Sequence, residues 1–136
     1  MKQLFSILIL SICHFNTNAQ TQQEMNIAAQ KEYKVAENEI NKIYKEIVEK
    51  YKSDTLFIKN LKASERIWIL FRDAEVKMKF PSKEPFVEYG SMYPLCYYGY
   101  MELLTRERIK KLSEWLSKSN QEDGCMGSKM ISLNLK

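Results

Sequence analysis

Between Met25 and Tyr51 apolar residues return at the helical period. Met25, Ala29, Tyr33, Ala36, Ile40, Ile43, Ile47 and Tyr51 fall on one face. The stripe predicts a helix from about Gln22 to Tyr51. A helix this long cannot fold back over its own apolar face, so a second helix must lie alongside it. Thr21 and Glu24 form a T-x-x-E capping box at its start. Glu46 and Lys50 form an i,i+4 pair on the outer face. Lys52, Ser53 and Asp54 then break the pattern, and Ser53 or Asp54 is placed to cap the next helix. So short a connection makes the two helices antiparallel neighbours.

The second helix is expected over about Thr55 to Lys79. Pro81 stops it, because the residue before a proline is pushed out of helical conformation. Phe57, Leu61, Trp68, Phe71 and Met78 recur at helical spacing, with Ser64 in the same series. Arg72 follows Trp68 by four residues, so both project from one side. Either Arg72 pairs with groups on a neighbouring helix, or it faces a partner. Residues 80–93 form the long connection, which holds Pro81, Pro85 and Gly90. Aromatic residues concentrate here and just beyond: Phe86, Tyr89, Tyr93, Tyr97, Tyr98 and Tyr100. Phe86, Tyr89, Tyr93 and Tyr97 read either as a binding loop or as packing over the end of the hairpin.

A third helix is expected from Pro94, which suits a first helical turn, to about Ser117. Leu95, Tyr98, Thr105, Ile109, Leu112 and Leu116 lie on one side of it. The tail is weakly patterned, although residues 131–135 alternate like a short strand. The expected fold class is all-α: a long antiparallel helical hairpin plus a third helix, a small three- to four-helix bundle with an irregular C-terminal tail. The domain plan is a leader over residues 1–19, a helical domain over 20–118 and a tail over 119–136.

Lys2 and the apolar run Leu4 to Ile12 read as a secretory signal too short to span a bilayer. Thr17 and Ala19 occupy the small-residue positions before a cut ahead of Gln20. The alternative is lipid anchoring at Cys13, disfavoured by bulky Ile12 beside it. Cleavage after Ala19 removes His14 and Cys13. It leaves 20 basic against 17 acidic residues, a net charge of +3. The mature chain is expected in the periplasm or outside the cell. Two cysteines in an oxidising compartment predict a Cys96–Cys125 disulfide, and two unpaired thiols are the alternative. Such a bridge closes a loop of about 29 residues and stabilises by roughly 3–4 kcal/mol.

Without histidine the mature chain has no His-based triad, no commonest general base and no His-ligated zinc site. Four scattered glycines make no phosphate loop. Most carboxylates alternate with lysines as on a solvated helix face, so a two-carboxylate glycosidase is weakly supported. The chain is read as a non-enzyme with no cofactor. Export and interleaved Lys and Glu argue against nucleic acid.

Several pieces then form a pattern: EMN at 24–26, Glu32-Tyr33, the E-I-N-x-x-Y run with Asn41 and Tyr44, RIWILFRDAE at 66–75, and LTRERIKKL from Leu104. In order and spacing they resemble the lysozyme-inhibitor LprI-like N-terminal domain family, over about Glu24 to Leu112. The resemblance implies a small, exported helical protein. It marks Asn41, Tyr44, Trp68, Arg72, Asp73, Glu75, Thr105 and Arg108 as motif positions. Asn41, Trp68, Arg72, Asp73, Thr105 and Arg108 are expected to form an interhelical polar and aromatic cluster, with Asn41, Asp73 and Glu75 as acceptors for Arg72. Family cysteines fall by spacing at Ala28, Val76 and Tyr100 here, so the family's disulfide scheme does not carry over.

Two functions fit. One is a protein-binding module that blocks a lysozyme-type, peptidoglycan-cleaving glycosidase. Its difficulty is charge, because common host lysozymes are themselves basic and the sequence has no acidic run. The other is an envelope interaction protein without inhibitory activity, binding an envelope protein or an anionic polymer. Three helices also leave room for an exposed apolar stripe and a homodimer.

Overall fold

A computed structural model describes residues 2–117, 125 and 127–129, with side chains from Thr21 onward. Helix α1 spans Lys2–Lys50, α2 Thr55–Lys79, the short α3 Pro85–Tyr89 and α4 Tyr93–Ser113, with a 3-10 turn at Gly90–Met92 between the last two. The all-α expectation holds. Because α1 begins well before Gln22, Thr21 and Glu24 sit inside a helix rather than at a cap. Asp54, not Ser53, caps α2: its carboxylate accepts the Phe57 N–H at 2.9 Å. That bond, seconded by the Ser128 hydroxyl, holds the Asp54 carboxyl below its ordinary range. Gly90 takes a positive φ of 67°, which lets the chain turn from α3 into α4.

The ends show how the helices run. Late α1 and early α2 meet where Tyr51 packs on Phe57, with ring centroids 4.4 Å apart. Tyr33, early in the packed part of α1, shares a cluster with Val76, late in α2. These two helices are therefore antiparallel. Tyr33 also stacks on Tyr98, and Tyr51 meets Trp115 edge-on. Helix α4 therefore runs parallel to α1 and antiparallel to α2.

The closest backbone approach is between α1 and α4. Ala36 and Thr105 are both fully buried, and their small side chains let the helices come together. The main core joins Ile40 and Ile47 of α1, and Tyr51 just after it, to Leu61 of α2 and to Ile109 and Leu112 of α4. Helix α1 also fastens both ends of α4. Asn26 accepts the Leu95 N–H at 3.2 Å and donates to the Ser91 carbonyl at 2.9 Å. Lys50 and Tyr51 donate to the Trp115 carbonyl at 2.8 and 3.1 Å. Amides and carbonyls that a helix leaves unpaired at its termini are thus satisfied from a neighbour.

Helix α2 is turned differently from expectation. Leu61 and Val76 point inward, while Phe71 and Met78 are exposed. The inward face reads Leu61, Glu65, Trp68, Arg72 and Val76. Its charged members are tolerated because they find partners there, as described below.

The expected Cys96–Cys125 disulfide is not shown, since no bond joins the two residues. Cys96 lies exposed in the first turns of α4. Cys125 comes after the other end of that helix, near Ser128 and Lys129, which reach Asp54 and the Trp115 ring. At 1.5 Å per residue, α4 alone separates Cys96 from that end by about 25 Å, and a disulfide needs α-carbons within about 7 Å. The strand-like pattern at 131–135 lies outside the described residues. Among the described residues, no helix is long and apolar enough to cross a membrane.

Candidate functional site: the groove between α2 and α4

Helices α2 and α4 are held apart by long side chains, which leaves two hollows along their seam. The lower, of about 340 Å³, is lined by Phe57, Leu61, Ser64, Arg108, Leu112 and Trp115. The upper, of about 470 Å³, is lined by Arg72, Asp73, Lys77, Phe80, Tyr93 and Tyr97 among others. Trp68 stands between them, with the Arg72 guanidinium 5.3 Å from its ring centroid and that of Arg108 at 5.9 Å. Such cation–π contacts are each worth about 0.5–2 kcal/mol, more where water is excluded.

Each guanidinium is also neutralised. Arg108 pairs with Glu65 across the groove and donates to the Ser64 hydroxyl at 2.9 Å. Arg72 donates to Asp73 at 2.8 and 3.0 Å and reaches the Tyr33 hydroxyl at 3.5 Å. Tyr33 in turn donates to Glu37 at 2.7 Å, and Glu37 accepts from Lys34 at 2.6 Å. Burial, then the Glu37 hydrogen bond, pushes the Tyr33 hydroxyl well above the ordinary tyrosine range. Burial alone would also raise Glu37. The Lys34 and Tyr33 hydrogen bonds outweigh it and hold that carboxyl below its usual value.

The expected polar and aromatic cluster is assembled in part. Trp68, Arg72, Asp73 and Arg108 come together. Asn41 does not join them, because it lies on the exposed side of α1. Glu75 binds the Tyr100 hydroxyl at 3.2 Å instead of Arg72. Thr105 is buried against α1 and donates to its own helix, to the Met101 carbonyl at 2.8 Å. Tyr44 is half-buried against the main core. Sequence reasoning missed Tyr33, Glu65 and Ser64 as partners. The i,i+4 step from Tyr33 to Glu37 was a legible signal, but Glu65 became an acceptor only once α4 lay beside α2.

The connection carries a second feature. Phe80 meets Tyr89 and Tyr93 edge-on at 5.7 and 5.5 Å, and Tyr93 contacts Phe86 and Tyr97 at 5.4 and 5.6 Å. Tyr89, Tyr93 and Tyr97 are half-buried over the end of α2. Phe86 and its neighbour Val87 point outward, 63% and 80% exposed. The packing role thus falls to Tyr89, Tyr93 and Tyr97, while Phe86 is left facing outward. Among the described residues, no three His, Cys, Asp or Glu side chains gather as a metal site would require.

A family model described as lysozyme inhibitor LprI matches residues 13–112. The chain belongs to the lysozyme inhibitor LprI family. It is also 30% identical over 108 residues to an uncharacterized protein of Rhizobium meliloti (strain 1021), covering 71% of this chain and 74% of that one. No solved structure matches. Within the family motifs, EMN supplies Asn26 to the start of α4, and RIWILFRDAE supplies Trp68, Arg72 and Asp73 to the groove. LTRERIKKL supplies Arg108 opposite them. Each of these three motifs thus places side chains in contacts between helices.

Proposed function

We propose that this chain is exported, is cut after Ala19, and acts as a protein-binding module that blocks a peptidoglycan-cleaving glycosidase. Membership of a lysozyme-inhibitor family over residues 13–112 carries the reading. Two features support it. The outward pair Phe86 and Val87 stands on a short helix backed by stacked tyrosines, a rigid apolar projection suited to an enzyme's cleft. The charge difficulty is also met locally. Arg106 pairs with both Glu39 and Glu102 and feels Glu32, so α1 and α4 together gather three carboxylates around one cation.

The test is clearing of peptidoglycan turbidity by lysozymes of several structural types, titrated with the purified protein at two salt concentrations. Saturable inhibition of one type is expected, with Val87→Asp losing inhibition while its melting is unchanged. No inhibition of any type, at protein well above enzyme, overturns it. Export is checked separately by N-terminal sequencing of the protein recovered from its native compartment, with Gln20 expected first. A lipid-modified Cys13 found as the first residue would instead move the cut ahead of Cys13 and establish anchoring.

One observation favours the second reading, an envelope protein that binds an anionic polymer without inhibiting anything. Lys59, Lys62, Arg66 and Lys77 are all exposed along one flank of α2. Binding to an anionic polymer that weakens with salt and with Lys62→Glu, alongside absent inhibition, would establish it.

A further inference from the structure

Helix α2 has a second apolar face, opposite the core. Leu56, Ile67, Leu70, Phe71 and Met78 are exposed by 66, 67, 71, 55 and 68%. They are not scattered. Their spacing sets them within one narrow stripe, and exposed Ala63 and Ala74 fill the intervening steps of the same stripe. The ridge runs nearly the whole of Thr55–Lys79. At ordinary side-chain areas it presents roughly 500 Å² of apolar surface, at the upper end of what a monomer leaves in water. In an antiparallel pair centred on this helix the two copies of α2 overlap over about residues 60–79, which leaves Leu56 uncovered and buries less than the roughly 800 Å² per partner of a standard interface, as suits a weak dimer.

We propose that this ridge is the interface of a twofold homodimer, in which α2 packs antiparallel against α2 of a second copy. The inference stands apart from the inhibitory reading and uses none of its surfaces. Three observations select a second copy as the occupant. The ridge is a straight helical stripe with small residues flanking its bulky centre, so two copies interdigitate without a pre-formed groove. Its bulky residues lie on both sides of the helix centre, so an antiparallel twofold axis beside Ile69 and Leu70 sets Ile67 of each copy against Phe71 of the other. The third is charge. Arg66 and Asp73 are seven residues apart on one margin of the ridge. An axis midway between them places Arg66 of each copy beside Asp73 of the other. Among the described residues Arg66 belongs to no ion pair, and the Asp73 side chain, although bonded to Arg72, is still 47% exposed. The same axis brings Lys62 of each copy level with Lys77 of the other; these like charges oppose the pairing, and their exposed, long stems bend away into solvent where salt screens them.

The test is sedimentation equilibrium of the purified protein over about 1–200 µM, a range in which mass action separates monomer from dimer. A monomer–dimer equilibrium is expected. Leu70→Glu should weaken it by about a hundredfold or more. Leu103→Glu, at an exposed position on α4, should leave it unchanged. Because Leu70 is itself exposed, the fold should tolerate the glutamate, which circular dichroism checks. The register is tested in a Cys96→Ser, Cys125→Ser background. Leu70→Cys should crosslink between copies on oxidation, whereas Leu56→Cys, about 40 Å from its counterpart in the antiparallel arrangement, should not. A monomer throughout the range overturns the proposal, as does a dimer indifferent to Leu70→Glu. Equal crosslinking at both positions overturns the antiparallel register.

Discussion

Arg108 of α4 and Glu65 of α2 form the one ion pair that spans these two helices among the described residues, with side chains only 17% and 14% exposed. Elsewhere the seam is bridged by Tyr100 donating to Glu75 and by Lys79 over the Tyr100 ring at 4.0 Å. Glu65→Ala leaves a mostly buried guanidinium without its carboxylate, and is expected to destabilise by about 2–4 kcal/mol. Removing Arg108 as well should recover part of that loss. A double-mutant cycle measured by urea unfolding reads the coupling, and strictly additive losses would contradict the pairing.

Arg72 is expected to behave more mildly. Its carboxylate partner Asp73 is a half-exposed neighbour on the same helix, so truncating Arg72 strands no buried charge. The loss falls on the contacts to Trp68 and Tyr33. Arg72→Ala should destabilise by about 1–2 kcal/mol, and Arg72→Lys by less, because a lysine keeps charge and stem but not the planar face over the indole. Thermal melting of both variants checks the order. Unchanged melting with lost partner binding would make Arg72 a contact residue instead.

The helices were legible in the sequence because their signals are local. Asp54 and Pro81 bracket α2, and Thr55–Lys79 is the span the periodicity predicts. The rotation of α2 was not legible. Two apolar stripes share that helix, and only the neighbours decide which turns inward. Phe71 and Met78 fit the helical period as well as Leu61 does, yet Trp68 and Arg72 carry the other face to α4. The antiparallel hairpin of α1 and α2 was legible, but the tight packing of α1 on α4 was not. Chain adjacency favours α1 with α2, whereas closeness follows small residues such as Ala36 and Thr105. Asn41 illustrates a motif position whose chemistry misled, since a hydrogen-bonding side chain on the wrong side of α1 has no cluster to join.

Asn26 should prove a structural anchor. Its amide both accepts from Leu95 and donates to Ser91, joining α1 to the start of α4 over a separation of nearly seventy residues. Asn26→Ala is expected to destabilise by about 1 kcal/mol, the usual effect of losing a cap. Asn26→Asp keeps the acceptor and puts negative charge near a helix N-terminus, so it should lose less. Amide hydrogen exchange at Leu95 should quicken in the alanine variant, and an unchanged rate would show that the cap contributes nothing.

Tyr33 and Glu37 give the bundle opposite responses to pH at its two extremes. Burial and the Glu37 hydrogen bond raise the Tyr33 pKa in the folded state, with the Arg72 charge opposing them. A raised pKa means the native state holds the proton more tightly. The stabilisation is therefore complete below the unfolded value of 10.0 and is lost as pH rises from there. Glu37 has the reverse sign. Its folded pKa is lowered, because the Lys34 and Tyr33 hydrogen bonds overcome burial. Its contribution is present above the ordinary 4.5 and fades as pH falls below it. Tyr33→Phe keeps the ring against Tyr98 but loses both hydrogen bonds, and should destabilise by about 1–2 kcal/mol near neutrality. It should also flatten the decline above pH 10, while Glu37→Gln flattens the one at acid pH. Urea midpoints measured from pH 3 to 11 test both, and a Tyr33→Phe profile parallel to that of the parent protein would show that the hydroxyl does not govern the alkaline limb.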